Sequence, residues 1–163
     1  MLDNGGFQGK TVTPEKLIET FKQLKPELVV APDVRFDSQK TLELHRGYAE
    51  LADDKIMKKT IAVFRPEIKD MYHTLDVYQQ LGYSIIGNPT GENYSEGYKQ
   101  FWKEVREDYG FKIHILGAQD GTYNLLKDYY FDSIDIVSQD INEFKTIRNN
   151  IRAVELTKWR HIL

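Results

Sequence analysis

The sequence predicts an α/β protein, a partial (β/α) barrel of the TIM type with about six strand–helix units in one domain over residues 1–163. Short apolar segments alternate with amphipathic ones at intervals of roughly 20 to 30 residues, the length of one strand–helix unit. No glycine-rich dinucleotide-binding fingerprint follows a predicted strand. An eight-unit barrel needs about 200 to 250 residues, so this chain is about two units too short. A doubly wound open sheet is the rival architecture.

The predicted strands are short, rich in β-branched residues and almost continuously apolar, as buried parallel strands are. Met1 to Asp3 has the character of the end of a further strand. The complete predicted strands cover residues 28–31, 60–64, 83–86, 112–116 and 134–138.

The first two predicted helices have recognisable start signals. Thr13 can cap the first helix, because Pro14 then takes the first helical position and an acid follows it. Ser38 can cap the second helix. The second helix would then carry Leu42, Leu44 and Leu51.

The third predicted helix opens at Pro66-Glu67 and ends near Gly82, where a glycine suits a helix C-terminus. The segments that follow also show helical spacing of their apolar residues. They predict helices over residues 95–109, 122–130 and 142–159.

Composition and charge exclude several classes of protein. The net charge of -3 generates no global field that would attract nucleic acid, so such contact needs a local basic patch. No apolar run is long enough to cross a membrane, and no signal peptide is recognisable. The absence of cysteine excludes disulfides and cysteine-based zinc sites. We therefore expect a cytoplasmic protein with no membrane contact and no cofactor.

Polar residues stand at the predicted carboxyl ends of the strands, where catalytic groups gather in strand–helix folds. An aspartate after a strand is commonly a turn former or helix cap, and this is the favoured interpretation of Asp120. Carboxylates at unknown distances do not establish a Mg²⁺ site, so no metal is predicted. The acids at these positions are Asp3, Asp33, Glu92, Asp120 and Asp135.

Asp135 interrupts an apolar predicted strand, where an unpaired carboxylate is costly. It must therefore be hydrogen-bonded or functional, and the sequence leaves both open. His114 also lies inside a predicted strand, where a lone histidine is most simply a satisfied core or rim residue.

The glycines near the strand ends also have two interpretations. Gly5 and Gly6 can serve a turn that needs positive φ, or can expose bare backbone to a planar ligand. The same alternatives hold for Gly87 and Gly91.

The segment from Asp3 to Gln8, DNGGFQ, resembles the D-S-G-[GA]-F-Q motif of the tRNA-guanine transglycosylases (queuine and archaeosine tRNA-ribosyltransferases). In that family the motif closes the third strand of a (β/α)8 barrel. The resemblance covers nearly the whole chain and implies that the family's first two units are missing from it. Further segments that resemble the family, in its order, are residues 30–33 (VAPD), 87–92 (GNPTGE), 114–117 (HILG) and 132–135 (DSID).

The resemblance implies that Asp135 attacks the ribose anomeric carbon, displaces guanine and holds a covalent glycosyl intermediate. It implies that Asp3 handles the proton of the leaving or incoming base and that Asp33 hydrogen-bonds the edge of the base. Asp132 is the alternative nucleophile if the register is shifted by three residues. The implied substrate-binding positions are Asp33, Gly5, Gly6, Phe7, Gln8, Gly87, Glu92 and Gly117.

The sequence departs from the family in three places. The family's zinc subdomain has no counterpart, and its basic segment after the nucleophile is replaced by residues 136–140. Phe64-Arg65 stands where the family has a base-recognising glutamine. A phosphate-contacting face or a solvated helix is equally compatible with the basic residues Lys145, Arg148, Arg152, Lys158 and Arg160.

The resemblance implies a transglycosylase-like protein that exchanges guanine for a 7-deazaguanine, as in queuosine formation, in tRNA or in DNA. The alternative is a catalytically inactive or partner-dependent barrel that binds a nucleobase or nucleic acid, and a third possibility is a fragment of a longer protein. A partial barrel has open sheet edges, so we expect them to be covered by the C-terminal helices, by a partner chain that completes the barrel, or by a second copy in a homo-oligomer.

Overall fold

The computed structural model describes residues 1–4, 12–65, 68–89, 96–118 and 131–136, together with Lys145 and Asn149. The strands lie close to where the apolar segments predict them, and the third strand extends further toward its carboxyl end than expected. They are β1 (Val29–Val30), β2 (Thr60–Val63), β3 (Ile85–Pro89), β4 (Lys112–Ala118) and β5 (Ser133–Ile136).

The strands form one sheet in the order β1-β2-β3-β4-β5, and each pairs in parallel with its neighbour in sequence. A doubly wound sheet reverses its strand order, whereas a (β/α) barrel adds each strand beside the last. The described chain is therefore a curled, parallel half-barrel, which confirms the α/β class and the partial barrel. Leu2 forms an isolated parallel bridge with Val29, so the count of six units stays a prediction.

The helices alternate with the strands as the sequence predicts, with two differences. A short helix over Asp54–Met57 is added, and the helix expected to open at residues 66–67 begins at Met71. A 3-10 turn over Ile68–Asp70 leads into the fourth helix. The helices are α1 (Pro14–Leu24), α2 (Ser38–Leu51), α3 (Asp54–Met57), α4 (Met71–Gln80) and α5 (Glu96–Glu107).

The two faces of the sheet carry different groups of apolar side chains. Ala62 and Phe64 belong to the large core shared with the helices, where Phe64 stacks on Phe101 of α5 with 5.5 Å between ring centroids. Ile61 and Val63 instead join a smaller cluster made of strand residues and their flanks. This alternation along β2 identifies the second cluster as the inner face of the half-barrel.

Helix α2 differs from its prediction at both its start and its buried face. Asp37, and not Ser38, is the N-cap, because its carboxylate accepts a hydrogen bond from the Lys40 backbone N–H. The buried residues of α2 are Thr41, His45 and Tyr48, whereas Leu51 is exposed. Of the leucines that suggested this helix, Leu42 is partly buried against the core, and the fully buried positions of α2 are the polar or aromatic residues above.

Several predicted segments lie outside the described residues. These include Pro66-Glu67, the helix over 122–130 and the tail helices over 142–159, of which only Lys145 and Asn149 are described. Among the described helices, none combines the length and the apolar character that crossing a membrane would require.

Candidate active site

The parallel strands bring several polar side chains to one edge of the half-barrel. Asp33 follows β1, Arg65 follows β2, and Asp135 lies near the carboxyl end of β5. In strand–helix folds this edge holds the catalytic groups. The sequence predicted Asp33 and Asp135 as members of the site, and the structure places both at this edge.

Asp33 is a buried carboxylate whose partners include Arg65 and Asn4. Arg65 Nε donates to its Oδ2 at 3.0 Å, and Asn4 Nδ2 donates to its Oδ1 at 2.8 Å. The Asn4 amide also donates to the Ala31 carbonyl oxygen. The ion pair is enclosed, since the side chains of Arg65 and Asp33 are only 11% and 5% exposed. A buried charge of this kind persists only when it is paired and hydrogen-bonded.

Asp3 lies beside β1 but has a different environment from Asp33. Its neighbour Leu2 is bonded on both sides, because Leu2 N donates to the Leu28 carbonyl and Leu2 O accepts from Val30 N. The Asp3 residue itself is exposed. Asp3 therefore comes directly after the residue that pairs with β1, and its side chain is accessible to solvent.

Asp135 is oriented by two groups from the neighbouring strand β4. The Gly117 backbone N–H donates to Asp135 Oδ1 at 2.8 Å, and His114 Nε2 lies 3.2 Å from the same oxygen. Gly117 has a φ of +69°, which glycine adopts without strain, at a point where the β4–β5 register shifts. The Asp135 side chain is 26% exposed, so its carboxylate is both held and accessible.

His114 connects two residues of β5. Its Nδ1 lies 2.7 Å from Ser133 Oγ, while Nε2 faces Asp135. An ionised carboxylate can only accept, so Nε2 carries the proton and Nδ1 accepts from the Ser133 hydroxyl. The side chain is 3% exposed. The interpretation of His114 as a satisfied core or rim residue is therefore confirmed.

Asp132, the alternative nucleophile, lies at the opposite edge of the sheet. Its Oδ2 accepts from the Ile113 backbone N–H at 2.9 Å, and its Oδ1 is 3.5 Å from Arg106 of α5. Because Ile113 is near the amino end of β4, Asp132 joins the starts of β4 and β5. This position separates it from the edge that carries Asp33 and Asp135.

Gly87 is needed for packing on the inner face. A Cβ atom there would lie 2.6 Å from Leu116 Cδ1 and 2.7 Å from Ile61 Cγ2. The Gly87 carbonyl accepts a hydrogen bond from the Phe64 N–H. Its role in substrate binding stays a prediction, as does that of Gly117. The remaining predicted binding residues lie outside the described part of the chain, and they are Gly5, Gly6, Phe7, Gln8 and Glu92.

Sequence reasoning did not assign functions to Asn4 or Arg65. Arg65 lies two residues beyond Val63, so the alternation of β2 directs it toward the inner face. Its contact with Asp33 depends on the parallel pairing of β1 with β2, which no local sequence pattern reveals. Within the described ranges, no group of three or more acidic or histidine side chains is arranged to hold a metal ion.

A second buried polar group lies behind this edge, between α2, α4 and the sheet. His45 Nδ1 is 2.8 Å from the Tyr78 hydroxyl, which donates to the Val63 carbonyl, and the Tyr83 hydroxyl donates to the His45 carbonyl. Burial lowers the pKa of His45 to about 3, with a smaller opposing effect from the Pro32 carbonyl. Burial also raises the pKa values of Tyr78 and Tyr83, so this group is uncharged at neutral pH.

Comparison with known proteins identifies a family and a fold. Residues 1–160 match the family described as "Family of unknown function (DUF6610)", and the chain belongs to that family. No curated protein matches the sequence. Among solved structures, KGPDC from Streptococcus mutans, a TIM-barrel protein, is similar with a TM-score of 0.53 and 12% identity. The match covers 93% of this chain and 84% of that one and supports the barrel-type fold alone.

Proposed function

We propose that this chain is a transglycosylase-like enzyme that exchanges guanine for a 7-deazaguanine base in tRNA or DNA through a glycosyl ester on Asp135. The observation that carries the proposal is the placement of Asp135. It lies at the carboxyl edge of the half-barrel, partly exposed and oriented by Gly117 and His114. Its resemblance to the transglycosylase nucleophile supplies the reaction class.

Asp135 has the properties that a carboxylate nucleophile needs. His114 and the Gly117 backbone N–H of β4 both contact Asp135 Oδ1, so these contacts to a single oxygen fix the orientation of the carboxylate. In the reaction an Asp135 oxygen forms a bond to the ribose anomeric carbon while the bond from that carbon to guanine breaks. The departing base takes up a proton at its ring nitrogen. The incoming base loses a proton, attacks the same carbon and releases the carboxylate, so the phosphodiester backbone stays intact.

Asp3 and the pair Asp33–Arg65 have complementary roles in this proposal. Asp3, exposed at the rim, transfers the proton to and from the base. Arginine is a common partner of the O6 and N7 acceptors of guanine, and Arg65 is held by Asp33 at the site edge. Asp33 then contributes to base recognition together with the guanidinium that it positions.

The proposal is tested by labelled-base exchange. Purified protein is mixed with labelled guanine or 7-cyano-7-deazaguanine, with unmodified tRNA in one series and duplex DNA in another. We expect incorporation into one of the two polymers. Asp135→Asn should abolish incorporation, because an amide is a poor nucleophile.

Asp132→Asn is the matched control, since it makes the same chemical change three residues away at the opposite sheet edge. It should retain incorporation at a similar rate in protein that folds normally. Incorporation that persists in Asp135→Asn, or that is lost only in Asp132→Asn, would contradict the assignment of the nucleophile.

The second candidate function is a partner-dependent barrel that binds a base or nucleic acid without exchanging it. The observation that favours it is the edge of β1, where the described chain supplies only the single bridge at Leu2. A parallel edge of this kind can pair with another chain or a second copy. Well-folded protein that binds labelled base, exchanges none and forms a defined oligomer by light scattering would favour this candidate.

A further inference from the structure

One aromatic side chain projects from the loop between β1 and α2, at the same edge of the sheet as the candidate site. Phe36 is 82% exposed, more than any other large hydrophobic residue that the structure describes. It lies three residues after Asp33. The Phe36 ring therefore contributes little buried area to the fold.

The backbone at Phe36 also departs from the usual preference. Its φ is +63°, in the left-handed region that bulky residues rarely adopt. Asp37 N donates to the Val34 carbonyl at 3.2 Å, so Phe36 occupies the third position of a four-residue turn. Turns with positive φ at that position favour glycine or asparagine. The chain therefore carries an aromatic ring where both exposure and backbone conformation oppose it.

The loop that presents Phe36 is held at both ends. On one side the Thr41 hydroxyl accepts a hydrogen bond from Val34 N at 3.0 Å and donates one to the Val34 carbonyl oxygen at 3.1 Å. On the other side Asp37 caps α2 through Lys40 N at 2.9 Å. These contacts fix the turn, so the ring is presented in a preorganised position.

Arg35 adds positive charge to the ring. Its guanidinium carbon lies 4.7 Å from the centroid of the Phe36 ring, which is the geometry of a cation–π contact. An aromatic face beside a guanidinium suits nucleic acid, because bases stack on the ring and the cation attracts phosphate. The next two residues, Asp37 and Ser38, are polar, whereas a protein docking site has an apolar centre.

We propose that Phe36, supported by Arg35, is a stacking platform for an unpaired base of the nucleic-acid strand that enters the site. The proposal rests on the proposed function in one respect, namely that the substrate is a nucleic acid. The base that stacks on Phe36 belongs to the same strand as the one exchanged at Asp135.

Fluorescence anisotropy with labelled single-stranded oligonucleotides of DNA and RNA tests the platform. Each sequence is compared with an abasic strand of the same length and charge. Loss of one stacked base weakens binding by roughly tenfold in known single-strand sites. We expect Phe36→Gly to weaken binding of the base-containing strand by about that factor while leaving the abasic strand unchanged. Phe36→Trp should bind the base-containing strand at least as tightly as the wild type.

Phe36→Gly is also informative about folding. Glycine accepts a φ of +63° without strain, so this variant should melt at the same temperature as the wild type or higher. Leu24→Ala is the matched control, because Leu24 is 66% exposed at the end of α1 and should not alter oligonucleotide affinity.

Three outcomes would overturn the proposal. The first is that wild type and Phe36→Gly bind the base-containing strand with equal affinity. The second is that the wild type does not bind oligonucleotides. The third is that the wild type self-associates and Phe36→Gly does not, while oligonucleotide binding is the same in both. Base exchange by the wild type is measured in parallel. Phe36-dependent binding without exchange would contradict the proposed function and leave the stacking platform intact.

Discussion

Asp33 and Asp135 lie at the same edge of the half-barrel in different surroundings. Asp33 is enclosed and bonded to Arg65 and Asn4, as a positioning group would be. Asp135 is partly exposed and is oriented by a backbone N–H and an imidazole. The contacts of each carboxylate, rather than its position in the sequence, are the basis on which we propose recognition for Asp33 and nucleophilic attack for Asp135.

Replacement of Arg65 tests the enclosed pair. Arg65→Leu leaves Asp33 buried without its ion-pair partner, which costs about 3 to 5 kcal/mol in comparable buried pairs. We expect the free energy of unfolding, measured by urea denaturation, to fall by that amount. The double variant Asp33→Asn/Arg65→Leu removes the uncompensated charge and should recover part of the loss. A double variant less stable than Arg65→Leu would contradict this account of the pair.

At the scale of the elements, strands β2, β3 and β4 pack closely at Gly87. Gly87→Ala would place a Cβ atom 2.6 Å from Leu116 Cδ1, and overpacking of this kind costs about 1 to 3 kcal/mol. We expect thermal or urea unfolding to show that loss. Gly47→Ala is the control, because Gly47 lies in α2 with no atom within 4 Å of the new Cβ. The control should be stabilised by up to about 1 kcal/mol, and two equally destabilised variants would contradict the packing account.

Because His45 is buried on α2, we expect the free energy of unfolding to depend on pH. The pKa of His45 is about 3 in the folded chain, against 6.5 for a histidine in an unfolded peptide, so the unfolded chain binds a proton first as the pH falls. Stability from this residue is therefore complete above about pH 6.5 and is lost progressively toward pH 3. By about pH 5 the loss amounts to about 2 kcal/mol.

Comparison with His45→Gln isolates this effect from that of other acids. Tyr78 and Tyr83, which contact His45, have raised pKa values and stay neutral over this range. The free energy of unfolding of the variant should change less between pH 7 and pH 5 than that of the wild type. Equal changes in the two proteins would show that His45 does not carry the dependence.

Local sequence patterns predict the elements well where the signal is apolar or lies at a helix start. Thr13-Pro14 begins α1 as expected, and the apolar segments locate the strands. The buried face of α2 escapes prediction because it is polar. His45 is hydrogen-bonded there through Nδ1 to Tyr78 and through its carbonyl to Tyr83, which lie 33 and 38 residues away in sequence.

At the scale of the whole molecule, the half-barrel assembles its site from distant parts of the chain. Asp33 and Asp135 are predictable because carboxylates at strand ends share one edge of a parallel sheet. The partnership of Asp33 with Arg65, 32 residues away, depends on the pairing of β1 with β2 and is not visible as a local pattern. The exposure of Phe36 likewise follows from a turn whose φ the sequence does not reveal.

The proposed function requires that Asp135 forms a glycosyl ester with the nucleic acid. The most direct measurement incubates the protein with end-labelled tRNA or DNA, without free base, and separates the products on a denaturing gel. We expect a labelled protein band that disappears on addition of 7-deazaguanine, is absent with Asp135→Asn and is present with Asp132→Asn. A covalent band formed by Asp135→Asn, or an adduct that peptide mapping places on another residue, would contradict it.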